Sequence, residues 1–433
     1  MALLNKNTGK QIWRHQTDLD SQPIGINTPW TGIAAFAPLV SNGLVYVLTQ
    51  IPFGYTPNGV TYTLEARSLA NGALQWSWKW KEVPTLEDPL TLANGVIYIR
   101  EYTFTGNIDS PPFSPSSPGF PSAYQGLVVA LQASDGHQLW KASLSGPPSP
   151  TTVADNVVYL SNGKALLALS ASDGHQLWQY QPDDGDMAYY NQIDYQTVQS
   201  IAQAHTVIVQ GQVYLEIRRV GGDHYVDDLV ALNPQTGRQV WRYLGHDESP
   251  MPILANNIIY TEDTSSSIVA LNASNGAVLW TYQDSPGKYS SKSILDNGVF
   301  YLEELSLNGV PSDVVALQAS NGHVLKRYTL ASGESFIFTV SQQALYLIVA
   351  LPSSRGHTLA EIIARNLATG TEIWHSSLLQ LSIDPSATVS QNQVYVVAEQ
   401  SLGPSTLFVF QAGSGKQLWS YITGGMYSAV TNV

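Results

Sequence analysis

The 433-residue chain contains no cysteine. Disulfides, thiolate metal sites and cysteine nucleophiles are therefore excluded, and the redox compartment is left open. Charge is scarce as well: Asp, Glu, Lys and Arg make up 12% of the residues, against roughly 25% in an average globular chain. Ser, Thr, Asn, Gln and Gly fill the surface instead, a composition common among all-β proteins outside the cytosol. Bases number 20 against 33 acids, for a formal net charge of −13. With no Lys/Arg cluster, the chain has no means of gripping a nucleic-acid backbone, and its acidity suits an anionic membrane surface poorly. No stretch reaches the roughly 18 apolar residues that a membrane span needs. The N-terminus enters a repeat unit directly and shows no signal peptide, so the expectation is a portion of a longer, exported chain.

What is present is a repeat. A small or apolar residue, Gly six positions on and Trp four further recur at Ala66/Gly72/Trp76, Ala130/Gly136/Trp140, Ala168/Gly174/Trp178, Ala231/Gly237/Trp241, Ala270/Gly276/Trp280 and Ala364/Gly370/Trp374. Leu3/Gly9/Trp13 and Val409/Gly415/Trp419 are the outermost copies, and Ala316/Gly322 is followed by Lys326 where Trp belongs. Such periodicity reads as an array of similar small units.

Each unit reads as four short strands. In residues 250–284 an apolar first strand ends at a tight turn beginning at Ala255, and further strands follow at 258–261, 268–272 and 278–282. Asn-Gly, Asp-Gly and Thr-Gly pairs between third and fourth strands supply the positive φ of a hairpin turn. A four-strand unit of about 40 residues fits a β-propeller blade. Trp on the outermost strand then packs between neighbouring blades, near the Gly of the next one. The expected docking set is Trp13, Trp76, Trp140, Trp178, Trp241, Trp280, Trp374 and Trp419, and Lys326 predicts one weaker seam.

The phrase Ala231–Trp241 resembles the tryptophan-docking repeat of pyrroloquinoline-quinone-type propellers. It is similar to the version in quinoprotein dehydrogenases and in the outer-membrane-assembly lipoprotein BamB. The resemblance covers almost the whole chain and implies a fold, since the motif is architectural. The expectation is one all-β domain, 1–433, an eight-bladed β-propeller of four-stranded antiparallel blades with complete blades over about 27–425. Strands at 1–17 and 426–433 are left over; the alternative is an additional incomplete blade built from both chain ends.

Excess length falls between second and third strands, or between blades, which places it on one face. The Pro-rich stretch 105–125 is one insertion. A second, 181–195, carries Asp183, Asp184, Asp186 and Asp194 beside Tyr189, Tyr190 and Tyr195. A third carries Arg218, Arg219, Asp223, His224, Asp227 and Asp228. Together they form the candidate partner face, suited to a protein, peptide or glycan. His137, His175 and His323 directly follow the repeat Gly and read as exposed copies of one turn residue.

No catalytic set and no metal site emerges. Quinoprotein dehydrogenases, by the resemblance, commonly carry an adjacent Cys–Cys pair or a set of inward Glu, Asn and Asp residues that finds no counterpart here. The expected function is a non-catalytic, monomeric binding or scaffold propeller of the bacterial cell envelope, located outside the cytoplasm and without a cofactor. The alternatives are a dehydrogenase of alcohols or sugars using pyrroloquinoline quinone with Ca²⁺, and the extracellular sensor domain of a membrane kinase.

Overall fold

The computed structural model describes residues 2–14, 34–35, 38–51, 60–82, 90–104, 124–146, 148–162, 165–182, 207–209, 212–221, 224–245, 252–264, 267–284, 288–306, 311–329, 335–341, 343–351, 358–376, 379–381, 386–400 and 403–422. Those residues hold no helix, and so none long and apolar enough to cross a membrane. They form a two-stranded N-terminal hairpin, Ala2–Leu4 with Gln11–Arg14, and eight antiparallel sheets in which sequence neighbours pair in order.

Sheet 1 runs from Leu39–Ser41 through Leu44–Ile51 and Val60–Ser68 to Leu74–Glu82, with Ala34–Ala35 also on the second strand. Sheet 2 comprises Leu90–Ala93, Val96–Phe104, Tyr124–Gln132 and Gln138–Leu144. Sheet 3 comprises Thr152–Ala154, Val157–Ser161, Leu166–Ser170 and Gln176–Tyr180. Sheet 4 comprises Val207–Val209, Gln212–Gly221, His224–Leu232 and Gln239–Tyr243. Sheet 5 comprises Ile253–Ala255, Ile258–Thr264, Ser267–Asn272 and Val278–Gln283. Sheet 6 comprises Lys288–Asp296, Val299–Ser306, Pro311–Gln318 and Val324–Thr329. Sheet 7 comprises Ser335–Ser341, Ala344–Leu351, Thr358–Asn366 and Glu372–His375, with Leu379–Leu381 added beside the third strand. Sheet 8 comprises Ser386–Ser390, Gln393–Gln400, Gly403–Gln411 and Gln417–Ile422. These are propeller-type blades. The chain divides into two compact units, Thr17–Thr264 with Val269–Leu279, and Met1–Gln16 with Ser265–Ile268 and Trp280–Val433.

Local sequence explains the turns. First and second strands meet at two-residue turns with positive φ at both positions, as at Asn42 (48°) and Gly43 (76°) or Asp155 (48°) and Asn156 (62°). Asn, Asp and Gly tolerate that region best. The turn between third and fourth strands is longer than a simple hairpin. Gly136 N donates to Gln132 O at 2.8 Å and Gln132 N to His137 O at 2.9 Å, with Gly136 at φ 75°. The Asp or Asn before the Gly acts through its side chain: Asp135 Oδ1 accepts from His137 N at 3.1 Å. In other copies the capping group is an Asn at the start of the turn, as where Asn233 Oδ1 accepts from Thr236 N. A one-residue bulge follows the small residue of the phrase, for instance between Ala130 and Leu131, just past the Ala130–Trp140 pair.

The tryptophans lie on these Gly turns. A Cβ on Gly174 would stand 2.5 Å from Cε3 of Trp140, and one on Gly237 2.4 Å from Trp178, so only glycine admits the ring. The indole N–H donates to the carbonyl three residues before each Gly. Examples are Trp76 to Ala133 at 3.0 Å, Trp140 to Ala171 at 2.8 Å, Trp178 to Pro234 at 2.6 Å, Trp280 to Ala319 at 3.0 Å and Trp374 to Ala412 at 2.8 Å. A second-strand tyrosine tilts against the ring, as in Tyr98–Trp140 (5.9 Å) and Tyr159–Trp178 (5.8 Å). In some seams its hydroxyl shares the acceptor, as Tyr46 does at Ala133 and Tyr214 at Ala273. Burial raises the pKa of these tyrosines above the ordinary value. At 150–250 Å² per Trp and about 25 cal/mol per Å², each ring brings up to about 4–6 kcal/mol of apolar burial.

The seam at Lys326 is rebuilt rather than vacant. The Lys326 stem lies over Gly370, with Cε 3.0 Å from where a Cβ would sit, and Nζ donates to Ala368 O at 2.7 Å. Two residues on, Tyr328 turns into the same seam and donates to Leu367 O at 2.6 Å. Leu367 is the carbonyl that a tryptophan would take by analogy with the other seams.

The N-terminal hairpin carries its own copy of the phrase and receives sheet 8 in the same manner. Trp419 lies against Gly9 and donates to Lys6 O at 2.8 Å. Tyr421 donates to Gln11 at 3.3 Å, Lys6 reaches Gln391, and Leu4 packs with Val397 and Val409.

Candidate functional site

Of the expected partner face, the stretch 105–123 and Asp183, Asp184, Asp186, Tyr189, Tyr190, Asp194 and Tyr195 lie outside the described residues, as does Asp223. The third insertion is strand, not open loop. It lengthens the second and third strands of sheet 4, pairing Arg218 with Asp227, Arg219 with Val226 and Gly221 with His224. Period-2 alternation is weak across Arg-Arg-Val-Gly-Gly-Asp-His, so sequence alone did not register these residues as ladder. Asp228 is fully buried and committed internally. Its Oδ2 accepts from Arg242 Nε (2.9 Å) and Nη2 (2.6 Å), and its Oδ1 from Gly245 N (3.0 Å).

Two tyrosines that sequence alone did not single out sit two residues beyond the docking tryptophan, Tyr282 buried and Tyr243 part-buried. Tyr243 donates to Asp263 at 2.8 Å, from sheet 4 to the second strand of sheet 5. Tyr282 donates to Glu304 Oε1 at 2.6 Å, from the fourth strand of sheet 5 to sheet 6. Glu304, with no exposed surface, also accepts from Arg327 Nη1 at 2.7 Å, and Arg327 Nη2 donates to the Tyr282 hydroxyl at 2.7 Å. Burial, then the adjacent carboxylates, push both phenols far above the ordinary tyrosine value. The signal was present as Trp-x-Tyr at 241–243 and 280–282. Its meaning depended on an acid in the next sheet.

Histidines of the Gly turns face solvent. His137 and His175 bond the Asp of their own turns, at 2.7 and 2.6 Å, and His375 bonds Glu372 at 2.7 Å. Hydrogen bonding from the turn lowers the pKa of Asp135 and Asp173, and the Glu372 carboxylate raises that of His375. Among the described residues no group of three or more His, Asp or Glu is placed to hold a metal ion. The buried carboxylates Asp228 and Glu304 have their oxygens taken by arginine, tyrosine or backbone N–H.

With the blades and seams in view, the sequence itself matches the family described as outer membrane protein assembly factor BamB, over residues 62–243 and again over 203–350, more than half of the chain. The chain belongs to this BamB-like family. Among solved structures it is similar to BamB from Moraxella catarrhalis, at 14% identity and TM-score 0.43, covering 71% of this chain and 83% of that one. It is also similar to quinohemoprotein alcohol dehydrogenase ADHIIG from Pseudomonas putida HK5, at 13% identity and TM-score 0.44, covering 77% and 66%. A third is apo AztD from Citrobacter koseri, at 10% identity and TM-score 0.45, covering 84% and 92%. No curated protein matches the sequence. The two stretches that match the BamB-like family overlap over residues 203–243.

Proposed function

We propose that the chain is a non-catalytic scaffold of the cell envelope that binds a protein partner outside the cytoplasm. The observation that carries this reading is membership of a family described by outer-membrane protein assembly. The seam chemistry supports it: tryptophans, tyrosines and buried acids are spent on joining sheets, which leaves recognition to the connections between them. In each meander the second-to-third-strand connection leaves the end opposite the Gly turns. In the sequence, 105–123 falls between the second and third strands of sheet 2 and 181–195 between sheets 3 and 4. Their tyrosines offer contact area at low rotamer cost and their acids offer acceptors, which suits a polar or basic segment of a partner protein. A peptide or glycan is the outcome to be distinguished.

Two measurements test the proposal. Addition of pyrroloquinoline quinone and Ca²⁺, followed by absorption spectra and dye-linked oxidation of alcohols and sugars, is expected to give neither stoichiometric uptake nor turnover. Quinone uptake with turnover replaces the scaffold by the dehydrogenase. For the surface, Tyr189, Tyr190 and Tyr195 are changed together to Ser, and His137 and His175 at the Gly-turn end are changed to Ser in a second variant. The tyrosine variant is expected to lose cross-linking to envelope proteins captured by wild type; loss in the histidine variant alone puts the face at the other end.

A further inference from the structure

One acidic position recurs at the same place in three sheets. It is the sixth residue of the second strand: Glu101 counted from Val96, Asp263 from Ile258 and Glu304 from Val299. The residue two beyond the preceding docking tryptophan recurs with it, as Trp78, Tyr243 and Tyr282. In two of the three cases the pair is closed, Tyr243 on Asp263 at 2.8 Å and Tyr282 on Glu304 at 2.6 Å. The position following the docking residue of the acid's own sheet supplies a cation in two cases, Arg327 on Glu304 at 2.7 Å and Lys141 near Glu101.

The Glu101 copy is open. Trp78 Nε1 is buried without a hydrogen-bond acceptor, and so is Trp80 Nε1 two residues along the same face. Glu101 itself makes no hydrogen bond or ion pair with the described residues. Trp78, Trp80, Glu101 and Lys141 belong to one seam. Trp76, Trp78 and Trp80 stand across from Ala66, Leu64 and Tyr62 on sheet 1. Trp78 and Trp80 pack with Ile97, Ile99, Leu127 and Val129 of sheet 2. Ile99 and Glu101 oppose Val129 and Leu127, and Val129 also opposes Lys141. Buried indole donors without an acceptor are rare in folded proteins, each costing about 1–3 kcal/mol, and the carboxyl on the same face of this seam is only partly buried.

We propose that Trp78, Glu101 and Lys141 form a pH-operated latch between sheets 1 and 2, open while Glu101 is protonated and closed onto the indole and the ammonium when it ionises. The physical basis is that an ionised acceptor makes hydrogen bonds roughly twice as strong as a neutral one. Only the charged form has reason to gather both donors. Glu304 displays the closed geometry permanently, because a planar guanidinium holds two groups at once. Lys141 is a more strongly hydrated point charge on an exposed stem and lets its copy open. Burial pushes the Glu101 carboxyl up to about 7, against a lowering pull from Lys141. Among the described residues Lys141 of its own sheet is the charged group that acts on it, and the ionisable side chain in the sheet 1 part of the seam is Tyr62, stacked on Trp80 at 5.1 Å. The change therefore falls near neutrality and reports on the seam alone.

The experiment is a ¹⁵N-indole NMR titration of the full chain from pH 5 to 9, in wild type, Glu101→Gln and Lys141→Met. One indole resonance is expected to move downfield with a midpoint near 7, to lose that movement in Glu101→Gln, and to titrate at higher pH in Lys141→Met. Trp78→Phe identifies the resonance, but the comparison stands without it. Histidine-linked shifts survive in Glu101→Gln and are thereby set apart. An indole spectrum that does not titrate near 7, or that titrates equally in Glu101→Gln, overturns the latch.

Discussion

Tyr328 donates its hydroxyl to the Leu367 carbonyl at 2.6 Å and thereby does the work of the tryptophan missing at Lys326. Together with the lysine stem over Gly370 it turns an apparent defect in the repeat into a filled seam. Tyr328→Phe leaves that buried carbonyl without its donor and is expected to cost about 1–3 kcal/mol. Lys326→Trp, which sequence alone favours, must now displace Tyr328 and is expected to destabilise by about 1–3 kcal/mol through overpacking. Urea midpoints decide both, and a stabilised Lys326→Trp shows that the pocket was vacant after all.

Trp280 and Gly322 are two halves of one contact. Truncation to Ala at Trp280 is expected to cost about 3–5 kcal/mol. Gly322→Ala, at φ 72° with the Trp280 ring 2.6 Å from the new methyl, should cost at least about 2 kcal/mol from backbone strain and overlap together. In the double variant the losses should fall short of additive, since the clash vanishes with the ring. Additive losses would show that the two residues do not meet.

Breaking the buried Glu304–Arg327 pair should be costly from either side. Arg327→Met strands a carboxylate with no exposed surface and is expected to cost about 3–5 kcal/mol, whereas Glu304→Gln with Arg327→Met together should recover part of it. Tyr282→Phe removes one donor to the same carboxylate and should cost about 1–3 kcal/mol. Thermal melts of the three variants against wild type measure the ordering.

Glu101 sets a pH dependence with a definite sign. Its folded carboxyl titrates at about 7, against about 4.3 in an unfolded chain. Between those values the folded state holds the extra proton, so stability falls as pH rises and levels off above 7. With allowance for partial exposure, wild type is expected to lose about 1–2 kcal/mol relative to Glu101→Gln between pH 5 and 8. Parallel curves for the two proteins refute the assignment.

Removal of residues 1–14 uncovers Trp419 and takes away the carbonyl of Lys6 to which it donates. Tryptophan emission is expected to shift to the red, with a lower urea midpoint. An unchanged spectrum means that Trp419 does not rest on Gly9.

Strand order and turn positions were largely legible because they are local. The Gly-x-x-x-Trp spacing places Gly at a turn and Trp on the strand that follows, in every copy. Asn-Gly and Asp-Asn pairs set the two-residue turns at positions 42–43 and 155–156. Arg218–Gly221 and His224–Asp228 were not legible as strand, because Gly221-Gly222-Asp223 reads as a turn signal whatever length of strand flanks it. Tyr282, Glu304 and Arg327 were not legible as a triad, because they come from strands 22 and 23 residues apart.

The sequence by itself determined the repeating four-strand unit, the turn positions, and which residue of each unit must be small, glycine or tryptophan. Those follow from backbone sterics and period-2 alternation, which act over a few residues. Tertiary structure alone decided what fills each seam: whether Trp+2 finds an acid, as Tyr282 finds Glu304, or finds nothing, as Trp78 does. That outcome depends on a partner contributed by the neighbouring sheet, and on how far burial raises the cost of leaving it unpaired.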